Sequence, residues 1–212
     1  MTPPKLVIFD CDGVLVDSEP IANRVLHDIL VANGATLTYE QSCAEFTGKN
    51  RYAIFAYAER NGITLPKDWY EEFYTTSIEK LIGNCEPIPD VNSIIEALQT
   101  ANIPFCVASN GVHAKMRATL GTTGLLPFFE GKMYSGYDVP NGKPAPDLFL
   151  HAAREFNTAP EDCVVVEDST TGLQAAQAAG MPSFAYAPAP DMQLFGATPF
   201  RSMADLPKLL NL

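Results

Sequence analysis

The sequence predicts an α/β fold, a parallel sheet wound on both sides by helices, with an all-helical segment inserted after the first strand. Three observations carry that reading. Short runs rich in β-branched and aromatic residues stand at Leu6–Phe9, Phe105–Ala108 and Cys163–Val166, with a weaker fourth at Ser183–Tyr186. Helical patterns lie between the later runs, and such alternation builds βαβ units. One long stretch, from about Val14 to Glu86, breaks the rhythm with helical patterns alone.

The elements follow in order. After the first strand, helical periodicity covers Ile21–Asn33, Arg51–Asn61 and Trp69–Ile82. Pro87, Pro89 and Asp90 mark the return to alternation. Helices are then expected at Val91–Ala101, Val112–Leu120, Pro146–Phe156 and Thr170–Ala179. Pro146 stands where a first helical residue would be, a position whose N–H has no partner to lose. Gly180 follows the Ala-rich helix, as a left-handed closing residue should. The expected domains are residues 1–13 with 87–212, and 14–86. An insertion of this kind needs its two ends close together.

Composition narrows the function. A chain of 212 residues, 47% hydrophobic, can bury one sizeable core and a small satellite. A formal charge of −11 argues against nucleic acid as a partner, because phosphate backbones reward Lys and Arg. An anionic small molecule would need local positive charge to overcome that field. Leu6–Phe9 is too short for a signal peptide or a membrane span, so no membrane is expected. The five cysteines are scattered and show no C-x-x-C spacing. That pattern fits a reduced, cytoplasmic protein without a thiolate metal site, with Cys106 and Cys163 as plain core residues. Nothing indicates an obligate protein partner.

Parallel sheets bind ligands beyond the carboxyl ends of their strands. Asp10, Asp12 and Gly13 follow the first strand, and Ser109, Asn110 and Gly111 follow the second. A loop carrying Gly142, Lys143 and Pro144 comes later, and Glu167, Asp168 and Ser169 follow the Cys163–Val166 run. Each group alone has a plain reading: an acidic turn, a helix cap, a solvated lysine, a charge pair at a helix start. Together they bring four carboxylates, a hydroxyl, an amide and a lysine to one edge of the sheet.

That set suits phosphoryl transfer. Four carboxylates repel one another unless a hard cation such as Mg²⁺ sits among them. The cation would neutralise a phosphate as a carboxylate approaches it. Asp10 can then attack phosphorus to give an aspartyl-phosphate that water cleaves. Asp12, two residues on and on the same face if the segment is extended, can protonate the leaving oxygen and later accept a proton from water. Ser109, Asn110 and Lys143 would hold the phosphoryl oxygens. Other signatures are absent: there is no C-x5-R and no G-x-S-x-G. Gly136 to Lys143 is one residue too long for a P-loop, and Pro144 replaces its Ser/Thr. His27, His113 and His151 are lone residues in helical segments, read as surface or packing residues.

The strings Phe9-Asp10-Cys11-Asp12-Gly13-Val14-Leu15-Val16-Asp17-Ser18-Glu19, Ser109-Asn110-Gly111, Gly142-Lys143-Pro144-Ala145-Pro146-Asp147 and Val166-Glu167-Asp168-Ser169 resemble the haloacid dehalogenase-like superfamily of phosphatases. The resemblance spans essentially the whole chain. It implies a Rossmann-like core with a helical cap inserted after the first strand. It makes Asp10 the nucleophile and Asp12 the acid/base, whose backbone carbonyl also binds Mg²⁺. Ser109 and Lys143 become phosphate ligands, Asp168 a metal ligand, and Glu167 a metal or water ligand. The second Asp opposes dehalogenase and phosphonate-cleaving chemistry and leaves a phosphate ester.

Two groups within the superfamily look nearest. The β-phosphoglucomutase-like group carries Lys-Gly-x-Ser-Arg in its cap, where this chain has Thr47-Gly48-Lys49-Asn50-Arg51. Arg51 is kept and the first lysine is not. The mutase histidine after the first motif is Ala22 here. The other group comprises bacterial sugar-phosphate phosphatases, including one acting on 6-phosphogluconate. Ser109-Asn110-Gly111 through Lys115-Met116, and Ser135-Gly136-Tyr137-Asp138, are similar to it. The expected function is a Mg²⁺-dependent phosphatase for a small phosphorylated metabolite, a sugar or sugar-acid phosphate. The alternatives are a hexose-phosphate mutase and a catalytically silent binding protein on the same fold. Arg51 and Lys49, near a cap helix start, are the expected specificity residues, with Arg51 meeting a distal anionic group.

Overall fold

A computed structural model describes residues 2–47 and 51–212. The chain forms two compact units, Met1–Asp17 with Glu86–Leu212, and Ser18–Cys85. It opens with β1 (Leu6–Phe9), buried throughout, and a two-residue β2 (Val16–Asp17). Four helices make the second unit: α1 (Glu19–Ala32), α2 (Tyr39–Phe46), α3 (Arg51–Arg60) and α4 (Trp69–Leu81). The chain returns through β3 (Glu86–Pro87), which pairs antiparallel with β2, Val16 facing Pro87 and Asp17 facing Glu86. Val14–Asp17 therefore belong to the sheet unit, four residues later than the boundary expected from sequence.

The remainder alternates. It runs α5 (Val91–Thr100), β4 (Phe105–Ser109), α6 (His113–Thr122), a short α7 (Leu126–Phe129) and β5 (Met133–Ser135). Then come α8 (Asp147–Glu155), β6 (Cys163–Glu167), α9 (Thr170–Ala178), β7 (Ser183–Tyr186), β8 (Thr198–Phe200) and α10 (Leu206–Leu209). Pro146 precedes the α8 helix as its cap instead of starting it. Six strands form one parallel sheet in the order β5-β4-β1-β6-β7-β8. The chain first steps outward from β1 to β4 and β5, then crosses to β6 on the other side. The reversal beside β1 is a topological switch point, where such sheets place their ligands.

Both faces of the sheet are covered, which explains the unbroken apolar strands. Leu6, Ile8, Cys106, Ala108, Cys163 and Val165 pack toward one side, against Leu148, Phe149 and Ala152 of α8 and Ala175 and Ala176 of α9. Phe9 and Phe105 turn the other way and meet Phe129 edge-on, with centroids 6.4 and 5.4 Å apart. All five cysteines are free, and Cys106 and Cys163 lie in this core. Among the described residues no helix is long and apolar enough to cross a membrane.

The second unit has its own core of Leu26, Leu30, Phe46, Ile54 and Trp69. A reciprocal cap starts α2: Thr38 accepts from the Gln41 N–H, and the Gln41 side chain accepts from the Thr38 N–H.

Candidate active site

Strand register assembles the site. Phe9 pairs with Val107 on one side and Val166 on the other. The residues just beyond these pairs are Asp10, Ala108-Ser109 and Glu167, so three strand ends deliver their side chains together. Ser109 and Glu167 close β4 and β6 rather than following them. Asp10, Ser109, Lys143 and Glu167 are all buried, which polar residues tolerate only when paired.

Lys143 is the hub. Its side chain is 3% exposed, and Nζ donates to Asp10 Oδ1 at 2.5 Å and to Glu167 Oε1 at 2.6 Å. The ammonium also lies 4.8 Å from the Phe149 ring centroid. Burial alone would lower the Lys143 pKa, but Asp10 and Glu167 more than offset it and hold it above the ordinary lysine value. Burial pushes the Asp10 carboxyl up, Glu167 and Asp12 push it further, and Lys143 opposes them. The site thus carries more negative charge than its one buried lysine balances.

Glu167 is held from all sides. Its Oε2 accepts from the Asp168 N–H at 2.9 Å, the Ser169 N–H at 2.8 Å and the Ser169 hydroxyl at 2.8 Å. With Lys143 on Oε1, four donors meet a group with about four lone-pair sites. Ser169 also accepts from the Gly172 N–H and so starts α9. A side chain at Gly172 would run into the Glu167 carboxylate.

Asp10, Glu167 and Asp168 each offer an oxygen, and these oxygens lie within 4.8 Å of one another. An all-oxygen carboxylate set fits a hard divalent cation such as Mg²⁺. Gly13 turns the chain at φ 77°, and a Cβ there would strike the Asp168 carboxylate, so only glycine lets the β1 loop pass this close.

Two sequence expectations change. Asp12 does not continue an extended segment, because the chain bends at Cys11. Its carboxylate accepts from Lys115 Nζ at 2.8 Å on α6, while its charge is still felt at Asp10. Asn110 does not turn its side chain outward as a phosphate ligand. Its amide takes the Lys143 backbone instead, accepting from the Lys143 N–H at 2.9 Å and donating to the Lys143 carbonyl at 3.0 Å. His113 is an exposed surface residue, and its ring meets the Asp138 carboxylate at 2.9 Å. The Ser109 hydroxyl accepts from the Gly111 N–H at 3.1 Å.

Arg51 belongs to the second unit. It begins α3, stacks over the Tyr52 and Tyr70 rings at 5.1 and 5.4 Å, and donates to the Tyr52 hydroxyl at 3.2 Å. Lys49 lies outside the described residues. Thr47, where a mutase would have lysine, accepts from the Asn23 amide at 3.0 Å. Lys115 joins the site through its bond to Asp12, which the sequence alone does not show. Its sequence signals are a cation near the start of a helix that follows a site loop and a place in the string that resembles the sugar-phosphate phosphatases.

Comparison with known proteins agrees with this geometry. Residues 4–180 match the family model for haloacid dehalogenase-like hydrolases. The chain is 34% identical to the 6-phosphogluconate phosphatase of Escherichia coli, over 99% of this chain and 96% of that protein. Its fold superposes on a haloacid dehalogenase-like protein of unknown function from Agrobacterium tumefaciens with a TM-score of 0.86 and 32% identity, covering 98% and 97% of the two chains. A family hydrolase from Deinococcus radiodurans, solved with bound phosphate and sodium, gives 0.81 and 30%, covering 97% and 94%. The chain belongs to the haloacid dehalogenase-like hydrolase family and, with such relatives, is a phosphoric monoester hydrolase.

Proposed function

We propose that the protein is a Mg²⁺-dependent phosphatase for a small sugar or sugar-acid phosphate, of which 6-phosphogluconate is the leading candidate. The observation that carries the reading is the buried Asp10–Lys143–Glu167 cluster beside Asp168 at the sheet's switch point. Likeness to the Escherichia coli phosphatase over nearly the whole chain supports the substrate class.

Asp10 attacks phosphorus in line with the ester oxygen, forming an aspartyl-phosphate as the phosphorus–oxygen ester bond breaks. Asp12 gives its proton to the departing alkoxide, then takes one from the water that cleaves the intermediate. Lys143 and Ser109 hold equatorial phosphoryl oxygens. Asp10, Asp168 and the Asp12 carbonyl would hold a Mg²⁺, with Glu167 beside them in the same carboxylate set. The chemistry a Mg²⁺ would supply there is neutralisation of charge on the phosphoryl group. Arg51 selects substrates with a second anionic group.

The test is phosphate release from a panel of phosphorylated sugars and sugar acids, with Mg²⁺ and with excess chelator. Selective, chelator-sensitive release from a sugar or sugar-acid phosphate is expected. Isomerised sugar phosphate without phosphate release would replace the reading with a mutase. Full release in excess chelator would remove the metal from it.

A further inference from the structure

We infer that Asn110 is a positioning residue for Lys143, and that Gly136 and Gly142 are glycines in order to admit its side chain. The inference rests on the reading of Lys143 as a phosphate ligand and assigns a task to residues which that reading leaves idle.

The two bonds between the Asn110 amide and the Lys143 backbone satisfy one donor and one acceptor of a loop residue, much as a neighbouring strand would. A side-chain amide supplies both polarities in one plane without depending on pH. Lys143 needs such support. It lies in a loop without regular structure, between Asp138 and α8, yet its ammonium must meet two carboxylates at hydrogen-bond distance. A long side chain brings entropy to be overcome, and a backbone shift of 1 Å would lengthen both bonds.

The glycines are independent evidence. A Cβ on Gly142 would lie 2.6 Å from Asn110 Oδ1, and one on Gly136 would lie 2.7 Å from it. Neither residue has the positive φ that would by itself call for glycine. The spacing that resembles a P-loop thus reflects room for an amide rather than a phosphate cradle. Two further bonds tie the same pieces together. The Ser135 hydroxyl donates to the Gly111 carbonyl at 2.7 Å, and His113 meets Asp138. The loop that follows Ser109 and the loop that carries Lys143 are therefore one assembly, and Asn110 couples the two phosphate-holding groups.

The test is a set of double-mutant cycles on turnover of a phosphate monoester with saturating Mg²⁺. Lys143→Met should lower kcat/KM by ~10²–10³-fold, as loss of one charge-stabilising donor does. Asn110→Ala should cost about 10- to 10²-fold through misplacement of the lysine. If Asn110 acts through Lys143, the double variant stays within roughly threefold of Lys143→Met alone. A second cycle guards against a misfolded lysine variant. Gly142→Ala should impair turnover in the native background and have no further effect in Asn110→Ala, where the obstructing amide is gone. Multiplicative losses in either cycle would overturn the inference and leave the phosphatase reading standing. Undiminished turnover by Lys143→Met would overturn both.

Discussion

A lysine buried between two carboxylates is stable only while all three stay ionised and aligned, because desolvation of each charge must be offset by its partners. The same arrangement prepares chemistry at Asp10, which is held close to a fixed cation before any substrate arrives. At this scale Asp10 and Asp12 should separate cleanly. Asp10→Asn should abolish turnover with every ester. Asp12→Asn should slow alkyl phosphates by about 10²–10⁴-fold in the step that needs a proton. It should leave formation of the phospho-enzyme from p-nitrophenyl phosphate much less affected, measured as the burst of nitrophenol. Equal slowing of that burst would remove Asp12 from the acid role. Arg51→Ala should raise KM for a doubly anionic substrate and leave p-nitrophenyl phosphate near the native value; equal losses on both would assign it to folding. Most of these residues were legible as sequence because they follow apolar runs. Lys115 and the side-chain direction of Asn110 were not, since both depend on contacts made across the fold.

At the scale of elements, the start of α9 shows how packing overrides propensity. Gly172 sits inside the helix, where alanine would ordinarily be preferred by about 1 kcal/mol. Here a methyl group would strike the Glu167 carboxylate. Gly172→Ala should therefore destabilise the protein by ~1–3 kcal/mol, measured by urea unfolding, and lower turnover. Gly121→Ala on α6, where the new methyl meets only Leu126 at 3.9 Å, should be neutral or mildly stabilising. Matching responses at the two positions would contradict the steric account. The same competition explains which elements the sequence showed. β1, β4 and β6 are central and buried on both faces, so their apolar runs are plain. β5 is only three residues at one edge, two of them half-buried, and β8, at the other edge, contains Pro199. Neither has a pattern that separates it from a loop. α2 shows little apolar periodicity in the sequence, because only Ser42 and Phe46 in it are buried.

For the molecule as a whole, the excess of carboxylates at the site predicts that Mg²⁺ stabilises the folded state, by binding it and not the unfolded chain. At ~100 times the dissociation constant this linkage is worth about 2.7 kcal/mol, or roughly 5–10 °C in Tm for a chain of this size. The rise should vanish in Asp168→Asn, read by calorimetry with and without chelator. A Tm indifferent to Mg²⁺ would contradict the assigned donor set. Division into two units was visible as a break in strand–helix rhythm, whereas the β2–β3 pairing that closes the base of the insertion has too few residues to leave a pattern. Transfer of the phosphoryl group from its ester to Asp10 can be caught by rapid acid quench during turnover of whichever sugar or sugar-acid phosphate is hydrolysed fastest, followed by peptide mass mapping. A single phosphoryl group is expected on Asp10, building within one turnover and absent in Asp10→Asn. Turnover with no phosphoryl group on Asp10 at any time, or phosphate release by Asp10→Asn at the native rate, would contradict that transfer.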